Sequence, residues 1–259
     1  VTPPTILTED EDKDLGCNPV EIIPPVFEAS DNCGIREFTV NTVGPVTEDD
    51  CNYSQTWIAT AIDDCGNEAE PVSISYTWIE DTDGPVIEFV NEMLIGLEDG
   101  DEFKIQCYGQ NTEWDLPEAS VNDVSVTDAC SGVVDITVSE VKIADGDCPE
   151  DGFIQKFECK WTATDACGNE STLTIYMVLV DEIPPVIYGV PDDIAVYCED
   201  IPEPASVYAL DECLCADLTY EETELDFNSC LNGQQIVRTW TAEDCCGNIT
   251  IESQTITII

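Results

Sequence analysis

Acidic residues are the most abundant reactive groups in this chain, with 56 Asp and Glu against 7 Lys and Arg and no His. Many lie in short turns and in two proline-containing segments, EDTDGPVI (80–87) and DEIPPVI (181–187). Carboxylate oxygens, with the carbonyl oxygens of Asn, are the ligands that Ca²⁺ prefers in proteins. A formal net charge of −49 also repels itself unless cations screen it. The composition therefore favours binding of a hard divalent cation.

The same composition argues against other functions. Phosphate backbones and anionic membrane surfaces are bound by clustered Lys and Arg, so nucleic acid and membranes are excluded as partners. Direct membrane insertion is excluded as well, because the longest apolar run is only a few residues. Without His, the usual general base of enzymes is missing. The sequence has neither a Gly-rich phosphate loop nor a nucleophile elbow. We therefore predict that the protein is not an enzyme.

Fifteen cysteines are the second chemical signal. The sequence contains no CxxC pair, and the close pairs, Cys213 with Cys215 and Cys245 with Cys246, lack the spacing of a zinc site. A disulfide framework is the better interpretation, since such frameworks persist in oxidising compartments. The cysteines therefore predict an extracellular protein.

One phrase, present three times, positions these acids and cysteines. It reads ATAIDDCGN (59–67), WTATDACGN (161–169) and WTAEDCCGN (240–248). Its alternating apolar residues are typical of a strand with one buried face, and the closing acid, Cys and Gly-Asn suit a tight turn. A second alternating strand is predicted after each turn, at 72–78, 172–180 and 249–259. The repeated unit is therefore strand, turn, strand.

The repeats predict three domains, at residues 1–80, 81–180 and 181–259, joined end to end by proline-stiffened linkers. Many short strands without helical periodicity predict an all-β fold, with three tandem immunoglobulin-like β-sandwich modules in an elongated, disulfide-stapled array. In the third repeat we predict strands at 186–189, 193–198, 205–209, 218–225, 235–242 and 249–258. The insertion at 91–103 is predicted to form a helical turn or a hairpin.

This layout predicts where cations bind. The last strand of one sandwich ends at its bottom, and the next sandwich presents two loops from its top. Linker acids should then approach loop acids and Asn side chains. The alternative is that these residues cap turns and keep the protein soluble. The predicted Ca²⁺ ligands are Asp81, Asp83, Asp128, Asp165 and Asn169 at one junction, and Asp181, Glu182, Asp211, Asp244 and Asn248 at the other.

Four cysteines recur in order in each repeat. The second and fourth should lie at one end of each sandwich and the first and third at the other, which favours first-to-third and second-to-fourth bridges within a repeat. First-to-second with third-to-fourth, or nested pairing, stays open. The predicted bridges are Cys17–Cys51, Cys33–Cys65, Cys107–Cys148, Cys130–Cys167, Cys198–Cys230 and Cys213–Cys246, with Cys215–Cys245 as an additional one.

The remaining cysteine and the tryptophans favour a structural interpretation. Cys159 shares the strand parity of Trp161 and is predicted to be a buried, inert thiol. Trp161 and Trp240 alternate with apolar neighbours, so we expect them in the core rather than on a sugar-binding surface. Trp114, in GQNTEWDLPEAS (109–120), is the one tryptophan that we consider as an exposed contact.

Several phrases resemble a known family. PPVI (184–187), VPDDIAVYCEDIPEPA (190–205), RTWTAEDCCGN (238–248) and QTITI (254–258) resemble HYR-like modules of secreted bacterial proteins. They resemble more closely the tandem repeats of Bacteroidetes gliding-motility adhesins of the SprB type. The second repeat matches at PVI (85–87) and KWTATDACGN (160–169), although it carries insertions. The resemblance implies Ig-like sandwiches along an exported cell-surface filament that uses the type IX secretion pathway.

We therefore predict a structural repeat segment of a large exported adhesin or filament, stiffened by disulfides and Ca²⁺ and serving surface attachment or gliding motility. Its predicted partners are neighbouring repeats of the same chain, with surface glycans or other cell-surface proteins as further candidates. Two alternatives stay open. One is a glycan-binding module that uses Trp114 or an acidic edge, and the other is a spacer attached to a secreted enzyme.

Overall fold

The regular structure is almost entirely β-strand. The computed structural model describes residues 2–32, 34–42, 51–108, 118–213, 215–223 and 233–259. Short helical turns occupy Val121–Asp123, Cys148–Asp151 and Cys198–Asp200. The strands are β1 (Val86–Phe89), β2 (Glu102–Gln106), β3 (Val124–Thr127), β4 (Val133–Asp145), β5 (Gln155–Asp165), β6 (Glu170–Val180), β7 (Val186–Tyr188), β8 (Ile194–Val196), β9 (Tyr208–Leu210), β10 (Ala216–Glu222), β11 (Gln235–Asp244) and β12 (Ile249–Ile258). The predicted all-β class is confirmed.

The second and third repeats build their sheets in the same order. One four-stranded sheet runs β2-β6-β5-β4 and the other runs β8-β12-β11-β10. In both, the first strand of the sheet in sequence pairs in parallel with the last, β2 with β6 and β8 with β12. Two-stranded antiparallel sheets, β1-β3 and β7-β9, complete the set. In the third repeat, β7 contacts β11 and β12 while β9 contacts β10, as expected for sandwich-like packing.

Strands β5 and β11 carry the repeated phrase and show its periodicity. Cys159, Trp161 and Ala163 in β5 are buried and alternate with less buried residues, and β11 follows the same pattern. The Phe89 ring meets Trp161 edge to face, with 5.1 Å between the ring centroids. Trp240 is also buried. The expectation that Trp161 and Trp240 are core residues is therefore met.

The turn after each of these strands places an aspartate at the strand end. The N–H of Asp165 donates to the carbonyl of Asn169 at 3.1 Å, and Asp244 donates to Asn248 over the same distance. Gly168 and Gly247 each have φ of 85°, a conformation that costs little for glycine. The predicted Gly-Asn turns therefore form, and their aspartates lie on the buried side.

The strand predictions for the third repeat agree closely with the structure, apart from β9, which begins three residues later than predicted. In the insertion at 91–103, the N–H groups of Leu94 and Ile95 donate to the carbonyl of Asn91 at 2.9 and 3.1 Å. This part of the insertion therefore forms a helical turn, and β2 begins at Glu102.

The first repeat departs from the prediction. Its described residues, 2–32, 34–42 and 51–80, contain no regular strand, including at the predicted 72–78. Positive φ values at Trp57, Ala59 and Tyr76 disturb the alternation of N–H and C=O directions on which a β-ladder depends. Apolar burial is nevertheless achieved. The core of this repeat consists of Ile6, Phe27, Trp57, Ala59, Ala61, Ile74 and Tyr76.

The chain divides into two compact units that do not follow the repeat boundaries. The first unit comprises residues 1–96, 120–138 and 161–173, and the second comprises 97–119, 139–160 and 174–259. The first contains the 81–85 linker with the loops after β3 and β5. The second contains the 181–185 linker with the loops after β9 and β11. The domain boundaries after residues 80 and 180 stay predictions.

Candidate cation sites at two aspartate clusters

Three aspartates from separate segments meet in the first unit. Asp81 lies in the linker between the first two repeats, Asp128 directly follows β3, and Asp165 ends β5. One carboxylate oxygen of each lies within 4.8 Å of the others. Asp81 and Asp165 are 7% and 1% exposed. Asp81, Asp128 and Asp165 form the first cluster.

Hydrogen-bond donors keep the two loop carboxylates of the first cluster charged. Asp128 Oδ1 accepts from the N–H groups of residues 130–132 at 2.8, 2.8 and 3.1 Å. The N–H of residue 130 is the main cause that lowers the pKa of Asp128. Burial acts to raise the pKa of Asp165, but hydrogen bonds from Asn169 and Cys167 outweigh it, so this pKa is also lowered.

Asp81 is satisfied on one side only. Its Oδ1 accepts from the N–H of Asp83 at 3.1 Å. Its Oδ2 is buried and receives no hydrogen bond from the described part of the chain. A buried carboxylate oxygen without a partner is costly, because it has lost its water without compensation. A cation beside Asp81 Oδ2 would supply the missing interaction.

The second unit contains an equivalent arrangement. Asp181 lies in the next linker and Asp244 ends β11, and their oxygens lie within 4.8 Å of each other and of the Cys246 sulfur. Asp211 follows β9 and adds a negative charge nearby. All three aspartates are at most 9% exposed. Asp181, Asp211 and Asp244 form the second cluster.

Asp181 has an environment different from that of the loop aspartates. Its Oδ1 accepts from Gln106 Nε2 at 3.0 Å and from the N–H of Ile183 at 3.2 Å. Its Oδ2 is buried and has no hydrogen-bond donor among the described residues. Burial is the main cause that raises the pKa of Asp181, and the charges of Asp211 and Asp244 raise it further.

The donor atoms fit a hard cation. The Cys107 and Cys213 sulfurs lie close to Asp181, but they are bonded to each other, as Cys246 is to Cys148, so none is a thiolate ligand. With no His in the chain, oxygen is the available ligand type. Ca²⁺ takes about six to eight oxygens in flexible geometry, whereas Mg²⁺ requires a nearly ideal octahedron. The three carboxylates of each cluster would supply part of a Ca²⁺ shell, with main-chain carbonyls, Asn side chains or water completing it.

The sequence-predicted ligands divide into three groups. The six aspartates of the two clusters come together as expected. Asn169 and Asn248 lie beside them, and each Nδ2 donates to a cluster carboxylate, at 2.8 and 2.9 Å. The side chains of Asp83 and Glu182 are exposed, and Glu182 forms an ion pair with Lys104. These last two side chains therefore lie outside the clusters.

Gln106 is the residue that sequence reasoning missed. It ends β2, and besides its bond to Asp181 its Oε1 accepts from the N–H of Glu182 at 2.9 Å. The positions before the first cysteine of the other repeats hold Gly16 and Tyr197, so no repeated residue marks this role. Only the parallel pairing of β2 with β6 brings Gln106 opposite the end of the repeat.

Four disulfides of the described residues join consecutive repeats. The first cysteine of one repeat bonds the second cysteine of the next, and the third bonds the fourth of the next. The predicted within-repeat pairing is therefore wrong for these cysteines. Short linkers bring the lower end of one repeat to the loops of the next, so cysteines of two different repeats face each other. The bridges are Cys17–Cys130, Cys51–Cys167, Cys107–Cys213 and Cys148–Cys246.

Other cysteines complete the set. Cys215 and Cys245 are bonded within the third repeat, the pairing that the sequence suggested. Cys159 is fully buried in the inward row of β5. Cys65 carries an exposed thiol rather than the predicted bridge, and Cys33, its predicted partner, lies outside the described residues. Cys198 is disulfide-bonded, and its predicted partner Cys230 lies outside the described residues too.

The glycan-binding alternative, through Trp114 or an acidic edge, stays a prediction. Trp114, its predicted contact, lies outside the described residues. Trp57, Trp161 and Trp240 are buried, whereas Trp78 is half-buried. Within the described ranges, none of the helical segments has the length and apolar character to cross a bilayer.

Comparison with known proteins identifies no family. No protein-family profile matches the chain, and no curated protein does. Similar solved structures include human CDH23 EC21–23, with a TM-score of 0.29 and 11% identity over 79% of this chain and 74% of that one. Protocadherin Gamma C5 EC1–3 has a TM-score of 0.26 and 11% identity over 81% and 78%. Drosophila N-cadherin EC1–4 has a TM-score of 0.23 and 14% identity over 80% and 58%. These TM-scores are too low to establish a shared fold.

Proposed function

We propose that this chain is a structural repeat segment of an exported cell-surface adhesin or filament, and that Ca²⁺ bound at the two aspartate clusters holds consecutive repeats together. One observation carries the proposal: each cluster combines a linker aspartate with two loop aspartates of the following repeat. The same repeats are joined by two disulfides. Such a junction has a mechanical role.

The covalent part of the junction supports a load-bearing role. Cys17–Cys130 and Cys51–Cys167 connect the first repeat to the second in addition to the linker itself. Pulling on the chain ends would therefore load three covalent connections at this junction. Disulfides over long sequence separations also restrict the unfolded chain strongly, by about 4–5 kcal/mol each in the loop-entropy account. Repeats linked in this way resist separation.

Bound Ca²⁺ neutralises the clustered carboxylates, which the disulfides do not do. Asp81 and Asp181 each keep a buried oxygen that has no donor among the described residues, beside two more carboxylates. Without a cation, these like charges repel across the junction and favour its opening. With Ca²⁺ bound, the same carboxylates attract a common centre, so the linker and the loops are drawn together. The exported, extracellular setting fits both the oxidised cysteines and the millimolar Ca²⁺ affinities of extracellular modules.

The proposal includes that the chain is a segment of a gliding-motility or HYR-like surface protein. It is supported by the phrases of the third repeat and by the strand order that the second and third repeats share. Surface attachment, with type IX export, is the role that this resemblance supports. Neighbouring repeats are then the first partners, and surface glycans or proteins would bind elsewhere on the parent.

Calorimetric titration of the full chain with Ca²⁺ and with Mg²⁺, after chelation, tests the function. We expect two Ca²⁺ sites, weaker Mg²⁺ binding, and a higher unfolding temperature in Ca²⁺. At a free Ca²⁺ concentration a thousandfold above Kd, each site adds about 4 kcal/mol to the free energy of unfolding. The control is Asp135→Asn, which removes an exposed carboxylate on β4 outside both clusters and should bind Ca²⁺ like the parent chain. Ca²⁺ binding at background level would overturn the cation part, and peptide mapping that linked Cys17 to Cys51 would overturn the covalent part.

A further inference from the structure

Each loop aspartate of the two clusters is held by the main chain of a cystine. Asp128, Asp165, Asp211 and Asp244 each accept a hydrogen bond at Oδ1 from the N–H of the cysteine two residues later. The distances lie between 2.7 and 2.8 Å. Those four donors are Cys130, Cys167, Cys213 and Cys246, and they are the four cysteines that receive a disulfide from the preceding repeat.

The preceding repeat also leads directly into the third ligand of each cluster. Asp81 follows the first repeat, which contributes Cys17 and Cys51. Asp181 follows the second, and the N–H of Cys107 bonds the carbonyl of Val180 at 3.0 Å, immediately before Asp181. At the first junction the N–H of Glu80, immediately before Asp81, bonds the carbonyl of Cys51 at 3.2 Å. The bridges of Cys51 and Cys107 therefore connect a linker ligand segment at one end to a loop aspartate at the other.

We propose that the disulfides between repeats preset the geometry of the cation sites, so that the redox state of these bridges regulates Ca²⁺ affinity. This inference rests on the function proposed above. Because linkage is reciprocal, bound Ca²⁺ makes the same bridges harder to reduce. The third-repeat bridge Cys215–Cys245 lies outside this scheme, since it joins no two repeats.

The chemical step is thiol–disulfide exchange with a dithiol reductant. One thiolate of the reductant attacks a protein sulfur to form a mixed disulfide, and its second thiol then closes a cyclic disulfide. Two electrons and two protons pass to the protein, which leaves two cysteine thiols. Once the bridge is broken, the loop and the linker must be ordered by the cation itself. That ordering lowers the Ca²⁺ affinity by the range typical of coupled sites, about 5- to 150-fold.

Serine variants of the full chain separate the bridge from the hydrogen bond. Cys51→Ser with Cys167→Ser removes one bridge at the first cluster but keeps the N–H of residue 167 as a donor to Asp165. Cys148→Ser with Cys246→Ser does the same at the second cluster. Cys215→Ser with Cys245→Ser is the matched control, a bridge removed within one repeat.

Calorimetric titration of these variants with Ca²⁺ measures the coupling. We expect the Kd at one site of each junction variant to rise about 5- to 150-fold, and the control to bind like the parent chain. Junction variants that bind Ca²⁺ as tightly as the parent overturn the coupling and leave the proposed function standing. A parent chain that binds no Ca²⁺ overturns both.

Reduction of the unmodified chain keeps the test decisive if a serine variant fails to fold. The chain is exposed to dithiothreitol in Ca²⁺ or in chelator at fixed ionic strength, and the new thiols are alkylated and located by mass spectrometry. We expect Ca²⁺ to slow the reduction of the four bridges between repeats and to leave Cys215–Cys245 unaffected. Equal reduction rates of the four bridges in Ca²⁺ and chelator would overturn the proposal.

Discussion

The two aspartate clusters share their construction and differ in electrostatics. In the first, hydrogen bonds from main-chain N–H groups lower the pKa of Asp128, and together with those from the Asn169 side chain they lower that of Asp165. In the second, burial and the neighbouring carboxylates raise the pKa of Asp181. Burial is the main cause at Asp181, where it outweighs the hydrogen bonds from Gln106 and Ile183. The second cluster therefore has more to gain from a bound cation.

Removing the linker carboxylate tests this difference with the largest expected effect. Asp181→Asn should abolish Ca²⁺ binding at the second cluster. It should also stabilise the cation-free protein by roughly 1 kcal/mol, since it removes a buried like charge. The matched change Asp81→Asn should abolish binding at the first cluster with a smaller gain in stability. Titration calorimetry and thermal unfolding in chelator measure both effects. Loss of stability in chelator for Asp181→Asn would contradict the comparison.

The pH dependence of Ca²⁺ binding should also differ between the two clusters. The raised pKa of Asp181 lies above its usual 3.8, so on acidification the folded protein protonates this group before the unfolded chain does. The fold gains stability through Asp181 while Ca²⁺ loses a ligand. The lowered pKa values of Asp128 and Asp165 mean that their contribution to stability is present above pH 3.8 and is lost only as the pH falls through their folded values.

The measurement is a Ca²⁺ titration from pH 7 downward on the two Asn variants, each of which retains one cluster. We expect the second cluster, retained in Asp81→Asn, to weaken at a higher pH than the first, retained in Asp181→Asn. Coincident pH profiles would contradict the electrostatic difference between the two clusters.

Gln106 offers a test confined to the second cluster. Its side chain donates to Asp181 and accepts a hydrogen bond from the main-chain N–H of Glu182. Gln106→Ala should therefore weaken Ca²⁺ binding at this cluster by about 10- to 100-fold, the usual effect of losing a group that orients a ligand. The first cluster should bind as before, which serves as the internal control in the same titration. An equal loss at both clusters would point to general destabilisation.

The smallest effect is expected at Glu182. Its exposed ion pair with Lys104 should contribute less than about 1 kcal/mol to stability. Glu182→Gln should leave the Kd of both Ca²⁺ sites unchanged, because the side chain is exposed and paired with Lys104. Calorimetry compares it with Asp181→Asn. A marked loss of affinity would restore Glu182 as the ligand that the sequence suggested.

Much of the fold and part of the site were predictable from local patterns. Alternation of apolar residues located β5 and β11, and the Gly-Asn turns located Asp165 and Asp244. The same pattern failed in the first repeat, where positive φ values at Trp57 and Tyr76 accompany packing without a ladder. Apolar periodicity specifies which side chains are buried, and it does not by itself ensure that the backbone groups pair.

The sequence alone was sufficient for the repeat, the all-β class and the core tryptophans, because each depends on neighbours close in the chain. The six cluster aspartates were expected to meet from the order of the repeats, and their role as Ca²⁺ ligands stays a prediction. The disulfide partners, the role of Gln106 and the opposite pKa shifts were decided by tertiary structure. The cysteines of the bridges between repeats are 98 to 116 residues apart, and each had a plausible partner within its own repeat. Only the contact of one repeat's lower end with the next repeat's loops selects among them, since bridge formation requires the two sulfurs to meet.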